Sequence, residues 1–388
     1  MSIDSGFRKS QIRRVKKSLD KGVISMLAQQ EKTPSFILNK QAVIDQYKHL
    51  CTAMPAIEPH FAIKACPMPE LLEIFKSLSS HLDVASEGEI ALLRQLDYPP
   101  ELLIHTHPHK TPRAMKAAYD YGIRTFVLDD LSEMAVMAAY KDSIRVLLRL
   151  GFSNDQAEVD LSYKFGLDPD QAVAAIDQLI QEGFTVAGCS FHVGSQMHSA
   201  EPYGIALKRT AKIYKEVASV LEYKLTMLDI GGGFPAPYTE PVLEIEAFAS
   251  VINPIITEHF SDVRVVSEPG RYLSNPCITL ASKVISVTIR DGHSWIFADD
   301  GVYGSFADMF SGHSKYLVFS EKELHHELAL KPYIVAGPTC DSIDIIDPEA
   351  LLPETHVGDM IIAPNMGAYS YALTSEFNSI PKAYVHVI

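Results

Sequence analysis

The chain has 388 residues, 47% of them apolar and 21% charged, and a formal net charge of −14. That length exceeds one ordinary core, so two domains are expected, and the composition is that of a soluble globular enzyme. The negative charge argues against general binding to nucleic acid or anionic membranes, and no apolar run is long enough to span a bilayer.

The five cysteines show no CxxC pair and no disulfide framework, which points to a reducing cytoplasmic setting. The first segment is basic, with Arg8, Lys9, Arg13, Arg14, Lys16, Lys17 and Lys21 interrupted by Asp4 and Asp20. It predicts a solvated helix leading into the fold. An organelle transit peptide is the other reading, and no secretory h-region is present.

From residue 59 one unit repeats. Short apolar runs occur at 59–65 (PHFAIKA), 81–86, 102–107, 125–130, 145–150, 186–193, 225–232 and 263–270. Stretches with apolar residues at helical spacing lie between them, as in PELLEIFKSL and EGEIALLRQL. Eight alternating units predict a parallel α/β sheet closed into a (β/α)8 barrel, with an open doubly wound sheet as the alternative. No GxGxxG follows the first strand, so the usual dinucleotide signature is missing.

After about residue 275 the pattern changes to β-branched, turn-punctuated runs such as ITLASKVISVTIR, HSWIFADDG and KAYVHVI. The expected organisation is a barrel over 37–275 and a β-rich domain over 276–388, which residues 1–36 join.

The first run ends in Lys64. Either its ammonium snorkels to solvent from the strand end, or it is a desolvated amine able to condense with a carbonyl cofactor. In a barrel of this kind the active site lies at the C-terminal strand ends. Polar residues gather there: Lys64, Asp83, His192, the run Gly231, Gly232 and Gly233, then Glu268, Gly270 and Arg271. Three glycines after strand seven expose backbone N–H groups where such barrels commonly bind phosphate.

His105, His107 and His109 alternate as well. They lack a fourth ligand at a known spacing, so they are read as polar lining of the barrel mouth, with no metal expected. His325 and His326 fall in a charged stretch and are read as surface residues.

The motifs FAIKACP, LDVASEGEI, SFHVGSQ, DIGGGFP, SEPGRYL, DDGVYGSF, GPTCDSID and NMGAYSYA occur in this order along nearly the whole chain. With them the sequence resembles the ornithine/lysine decarboxylase group of fold type III pyridoxal-phosphate enzymes. The resemblance implies an alanine-racemase-like barrel followed by a β-domain, and pyridoxal 5'-phosphate as cofactor. It also implies a homodimer whose active sites are shared across the interface, acting on a small amino-acid substrate.

Residue by residue, it makes Lys64 the Schiff-base lysine and puts Asp83 and Glu89 near the cofactor. Arg149 and Lys164 stand beside the pocket and at the dimer contact. His192 stacks on the pyridine ring, and Glu268 pairs with the pyridine nitrogen. Ser195, Gly231 to Gly233, Gly270, Arg271 and Tyr369 cradle the phosphate. Cys340 and Asp341 form a catalytic pair supplied across the dimer interface, Cys340 as acid and Asp341 toward the substrate amine, and Phe377 walls the pocket.

One position departs from the amine-forming members. Where they carry an acid toward the distal amino group, this chain has Gly312 after Ser311, and Asp308 lies four residues earlier. Two readings follow. Asp341 alone meets the amine of ornithine or lysine, or the distal nitrogen is acylated, as in the citryl-diamino acids of siderophore pathways. Diaminopimelate decarboxylase is the enzymatic alternative, though its cysteine is typically followed by Glu and here Asp341 follows. A non-catalytic regulatory homologue of ornithine decarboxylase is the alternative of another class.

Overall fold

The computed structural model describes residues 4–19, 22–153, 163–311 and 315–388. The chain divides into two compact units. One comprises Asp45–Pro235 and Leu243–Tyr272; the other takes the chain up to Ile44, Ala236–Val242 and Leu273–Ile388. The segment Ala236–Val242, inside the barrel by sequence order, thus belongs with the β-rich unit.

Strand β1 is Ser35–Leu38, in the β-rich unit. The barrel strands follow as β2 (Ile57–Ala62), β3 (His81–Val84), β4 (Leu103–His105), β5 (Thr125–Leu128), β6 (Arg145–Leu150), β7 (Thr185–Phe191), β8 (Met227–Asp229) and β9 (Arg264–Ser267). They form a closed parallel barrel, and the pairing of Ile57 with Val265 and Pro59 with Ser267 shuts it. The open-sheet alternative is thereby ruled out.

All eight strands fall on the apolar runs of the sequence, because strands buried on both faces read as near-continuous aliphatic stretches. Ile104, Val127, Leu147, Ala187, Met227 and Val266 pack together as a buried cluster, one from each of six strands. The helices between strands are capped by their own sequence. Ser86 Oγ accepts from the Glu89 N–H (3.2 Å) at the start of Glu87–Gln95. Thr111 caps Pro112–Tyr121, and Gly122, at φ 115°, ends it.

The β-rich unit holds an eight-stranded sheet. Its path runs β12 (Phe319–Ser320), β15 (Met360–Ala363), β10 (Ile278–Arg290), β11 (His293–Ala298), β13 (Lys331–Ala336) and β14 (Ile345–Leu352). Strand β1 pairs antiparallel with β10 and parallel with β16 (Tyr384–Val387).

The helix Ser5–Ser18 is more than a solvated lead-in. It buries Phe7, Gln11 and Val15, and Phe7 and Val15 join a core with Leu317, Phe319 and Ile362. Two of its basic residues are docked: Arg8 donates to Glu323 Oε2 (2.8 Å) and the Val318 carbonyl (3.0 Å), and Arg14 donates to Asn365. The charges on its exposed face alone matched the solvated reading. Among the described residues no helix is long and apolar enough to cross a membrane.

Candidate active site

The barrel brings most of the expected residues to the C-terminal ends of its strands. Lys64 lies just past β2, on the 3-10 turn Ile63–Ala65, rather than closing the strand. Its side chain is 41% exposed. Its Nζ sits between two carboxylates, donating to Asp83 Oδ2 at 3.1 Å with Glu268 Oε2 at 3.8 Å.

Asp83, on β3, is buried and accepts from Thr106 Oγ1 (2.5 Å). Burial pushes its carboxyl up to about 7, with Lys64 opposing and Glu268 adding to the rise. Glu89 faces its own loop: Oε2 accepts from the Ala85 N–H (2.5 Å), which fixes the turn after β3, and burial raises its carboxyl.

Glu268 follows β9, and its N–H donates to the Gly231 carbonyl (2.7 Å), tying the strand-nine end to the glycine run. Burial alone would raise Glu268; the Lys64 ammonium and the neighbouring Asp229 carboxyl outweigh it, and the net direction is down. Asp229, the last residue of β8, did not stand out in the sequence. It is fully buried, and Oδ1 accepts from the Gly231 N–H (2.9 Å). Burial first, then the charge of Glu268, drives its carboxyl well above the usual range. Of these two acids, Asp229 keeps the proton and Glu268 is ionised.

The glycine run is required by close backbone approach. A Cβ at Gly231 would lie 2.3 Å from the Phe191 carbonyl, at Gly232 2.3 Å from the Glu268 carbonyl, and at Gly233 2.2 Å from the Gly194 carbonyl. Gly231 and Gly233 also have φ of 68° and 111°. Tyr203, a second residue the sequence did not single out, donates its hydroxyl to the Gly232 carbonyl (2.5 Å) and stacks on Phe234 at 5.3 Å.

His192, just past β7, accepts from the Gly194 N–H at Nδ1 (3.1 Å). Burial, with Arg149 and Lys64 reinforcing it and Glu268 opposing, takes its imidazole down to about 3. The ring is therefore neutral, with its proton on Nε2. Ser195 follows in the same loop, half-buried.

Arg149, on β6, has its guanidinium 5.1 Å from the Phe165 ring centre and its Nε 3.9 Å from Asp129 Oδ1; the Lys164 ammonium lies 4.9 Å from the same ring. Gly270 has the Ala65 side chain 3.0 Å from where a Cβ would stand, and Arg271 opens the short helix Arg271–Ser274.

The alternating histidines do not share a surface. His105 is buried against Phe126 at 5.7 Å, while His107 and His109 are exposed. Strand β4 ends at His105, so the strand alternation stops there and His107 and His109 follow, exposed, in the loop beyond it. His325 and His326 are exposed, as expected.

Cys340, Asp341, Phe377 and Tyr369 belong to the β-rich unit. Tyr303 donates its hydroxyl to Asp341 Oδ2 (2.5 Å), which lowers the Asp341 carboxyl, and Tyr303 stacks on Phe377 at 4.3 Å. Asn378 Oδ1 accepts from both the Cys340 N–H (3.3 Å) and its thiol (3.4 Å). Tyr369 is half-buried, with φ of 57°. Gly312 lies outside the described residues, and Asp308 is buried.

The barrel donor set fits a phosphorylated aromatic aldehyde. It offers an amine between acids, an ionised carboxylate, a neutral imidazole, and a glycine run too close to other backbone for any side chain.

Residues 40–275 match the family described as "Pyridoxal-dependent decarboxylase, pyridoxal binding domain". The lysine/ornithine decarboxylase of Selenomonas ruminantium is 34% identical over 356 residues, covering 92% of this chain and 89% of that protein. Antizyme inhibitor 2 of Xenopus laevis is 30% identical over 380 residues, covering 94% and 83%. The crystal structure of lysine/ornithine decarboxylase complexed with putrescine from Vibrio vulnificus superposes with a TM-score of 0.88 at 33% identity, over 94% of this chain and 97% of that one.

Proposed function

The chain belongs to the pyridoxal-dependent decarboxylases, and from that premise we propose that it removes the α-carboxylate of a basic L-amino acid of the lysine or ornithine class. The observation that carries this reading is the Lys64 amine held at the barrel mouth between Asp83 and Glu268.

The cofactor supplies an electron sink for the pair left behind when CO₂ departs. The chain's own residues do the rest. Lys64 is the amine that holds the cofactor. Glu268, ionised beside a protonated Asp229, suits a cationic ring nitrogen. His192, neutral and fixed by Gly194, offers a flat ring face. The Gly231–Gly233 backbone, with Ser195, Gly270 and Arg271, suits a phosphate. The Cys340 thiol donates to Asn378 Oδ1 and is the acid for the carbon that lost its carboxylate.

Asp341, lowered by the Tyr303 hydroxyl, is a carboxylate fit to meet a distal ammonium. This favours free diamino acids. The second reading, an acylated or citrylated distal nitrogen on a siderophore pathway, is favoured by Gly312 standing where the amine-forming members carry an acid. The protein is further read as a homodimer in which Cys340 and Asp341 serve the partner's site, which the GPTCDSID motif supports. Similarity to an antizyme inhibitor raises a non-catalytic reading, but Lys64, His192, Glu268, Arg271 and Cys340 are all retained.

Borohydride treatment of the cofactor-loaded protein should fix the cofactor to the peptide containing Lys64. Labelling of another lysine, or none, would refute the cofactor assignment. For the substrate, kcat/KM is compared across ornithine, lysine, arginine, diaminopimelate and N-citryl-ornithine. The lysine/ornithine reading expects about 10⁴ M⁻¹s⁻¹ or more on a free diamino acid. A value at least about a hundredfold lower, with the citryl substrate preferred, would transfer the assignment to the acylated class.

A further inference from the structure

At the opposite end of the barrel from Lys64, three ligand-type side chains converge. Glu58 and His60 stand two residues apart on β2, and His81 opens β3, with its Cα paired to that of His60 across the two strands. His60 Nε2 lies 2.8 Å from Glu58 Oε1 and His81 Nε2 lies 3.5 Å from the same oxygen; all three ligand atoms fall within 4.8 Å of one another. His60 is only 1% exposed, and its Nδ1 is buried with no hydrogen-bond partner among the described residues. The two rings stand 4.7 Å apart.

We propose that Glu58, His60 and His81 form a structural site for a borderline divalent cation of the zinc type, clamping strands β2 and β3 at the closed end of the barrel. Two imidazoles and one carboxylate are the ligand chemistry of such ions, and a water completes the fourth position. Glu58 and His81 remain 33% and 20% exposed at the side chain, which leaves an entry path.

Without an ion, one carboxylate oxygen is hydrogen-bonded to the His60 imidazole and the Arg264 guanidinium, and the His81 ring nitrogen stands 3.5 Å from it. A cation takes the place of the His60–Glu58 hydrogen bond with both imidazoles carrying their proton on Nδ1, so no proton leaves the protein, and the ion must offset the cost of a His60 Nδ1–H buried without a partner among the described residues. Arg264 opposes the ion by its charge. Its side chain is 40% exposed, however, and an ion pair that open to water is weak, so it turns outward or stays as an outer partner of the carboxylate. The proposal is independent of the decarboxylase reading.

The test uses the untagged, cofactor-loaded protein with Cys340→Ser, which removes the exposed thiol as a competing ligand. It is equilibrated with zinc chloride against a chromophoric chelator, and bound metal is counted by elemental analysis. One zinc per chain is expected, with affinity falling at least thirtyfold in His81→Gln and in Glu58→Gln. His81 is partly exposed, so His81→Gln keeps the test alive if His60→Asn does not fold. No retained metal, or equal affinity in the parent and His81→Gln, would overturn the site.

Discussion

At the scale of single residues, the barrel mouth is organised by which of its acids holds a proton. Asp83 and Glu268 flank the Lys64 ammonium, Asp229 lies beside Glu268, and only one of the three carboxyls is driven below its ordinary range. That one is Glu268, so its charge is the property to remove. Glu268→Gln should keep the fold and much of the cofactor binding, yet lower kcat by at least about a hundredfold, since each 1.36 kcal/mol of lost stabilisation is about tenfold in rate. Single-turnover decarboxylation of the loaded variant checks this, and near-normal turnover refutes the role. Asp229 escaped the sequence reading for a physical reason. Within LTMLDIGG it looks like any polar strand end, and only its complete burial beside a second acid reveals that it carries a proton. Lys64 was legible by position but not by environment, because a run of apolar residues does not say where the strand stops and a turn begins.

At the scale of elements, the eight barrel strands were readable because burial on both faces leaves continuous apolar runs. The 145–150 run coincides with its strand, while the 225–232 run extends past a three-residue β8 into the glycine turn. The helix Ser5–Ser18 and its place with the β-rich unit were readable, but its docked face was not, because its three buried positions are outnumbered by its charges. Strand β4 carries a testable liability in His105. Both ring nitrogens are buried without partners among the described residues, and burial, reinforced by Lys110 and His107, lowers the imidazole to about 3. The folded state thus refuses a proton that the unfolded chain takes below about 6.5. A depressed histidine contributes stability above the unfolded value and loses it as pH falls from there toward the folded one. Between pH 7.5 and 5 this group alone should cost roughly 2 kcal/mol, at about 1.36 kcal/mol per unit below 6.5. His105→Leu should abolish that part of the acid sensitivity. Urea midpoints of both proteins at the two pH values decide it, and parallel losses would show that His105 is not the cause.

At the scale of the whole molecule, the proposed homodimer makes a prediction that no isolated subunit can satisfy. Two-fold closure renders both shared sites equivalent. Lys64→Ala and Cys340→Ala subunits, each inactive, should therefore recover activity when mixed, because a heterodimer rebuilds one intact site. If subunit exchange is demonstrated and the mixture stays inactive, the shared site is wrong. A different consequence follows from β1, which is bonded on one side to Ile278–Ala281 and on the other to Tyr384–Val387. On the ribosome, Ser35–Leu38 leaves the tunnel long before either partner. At about 5–20 residues per second, its last partner arrives roughly 20–70 s later. Both edges of SFIL stay open until Ile278–Ala281 emerges, roughly 12–48 s on at that rate, by which time the barrel strands have been made, and the second edge stays open to any neighbouring chain until Tyr384–Val387 follows. The hazard in making this protein therefore lies in the delay imposed on its first strand.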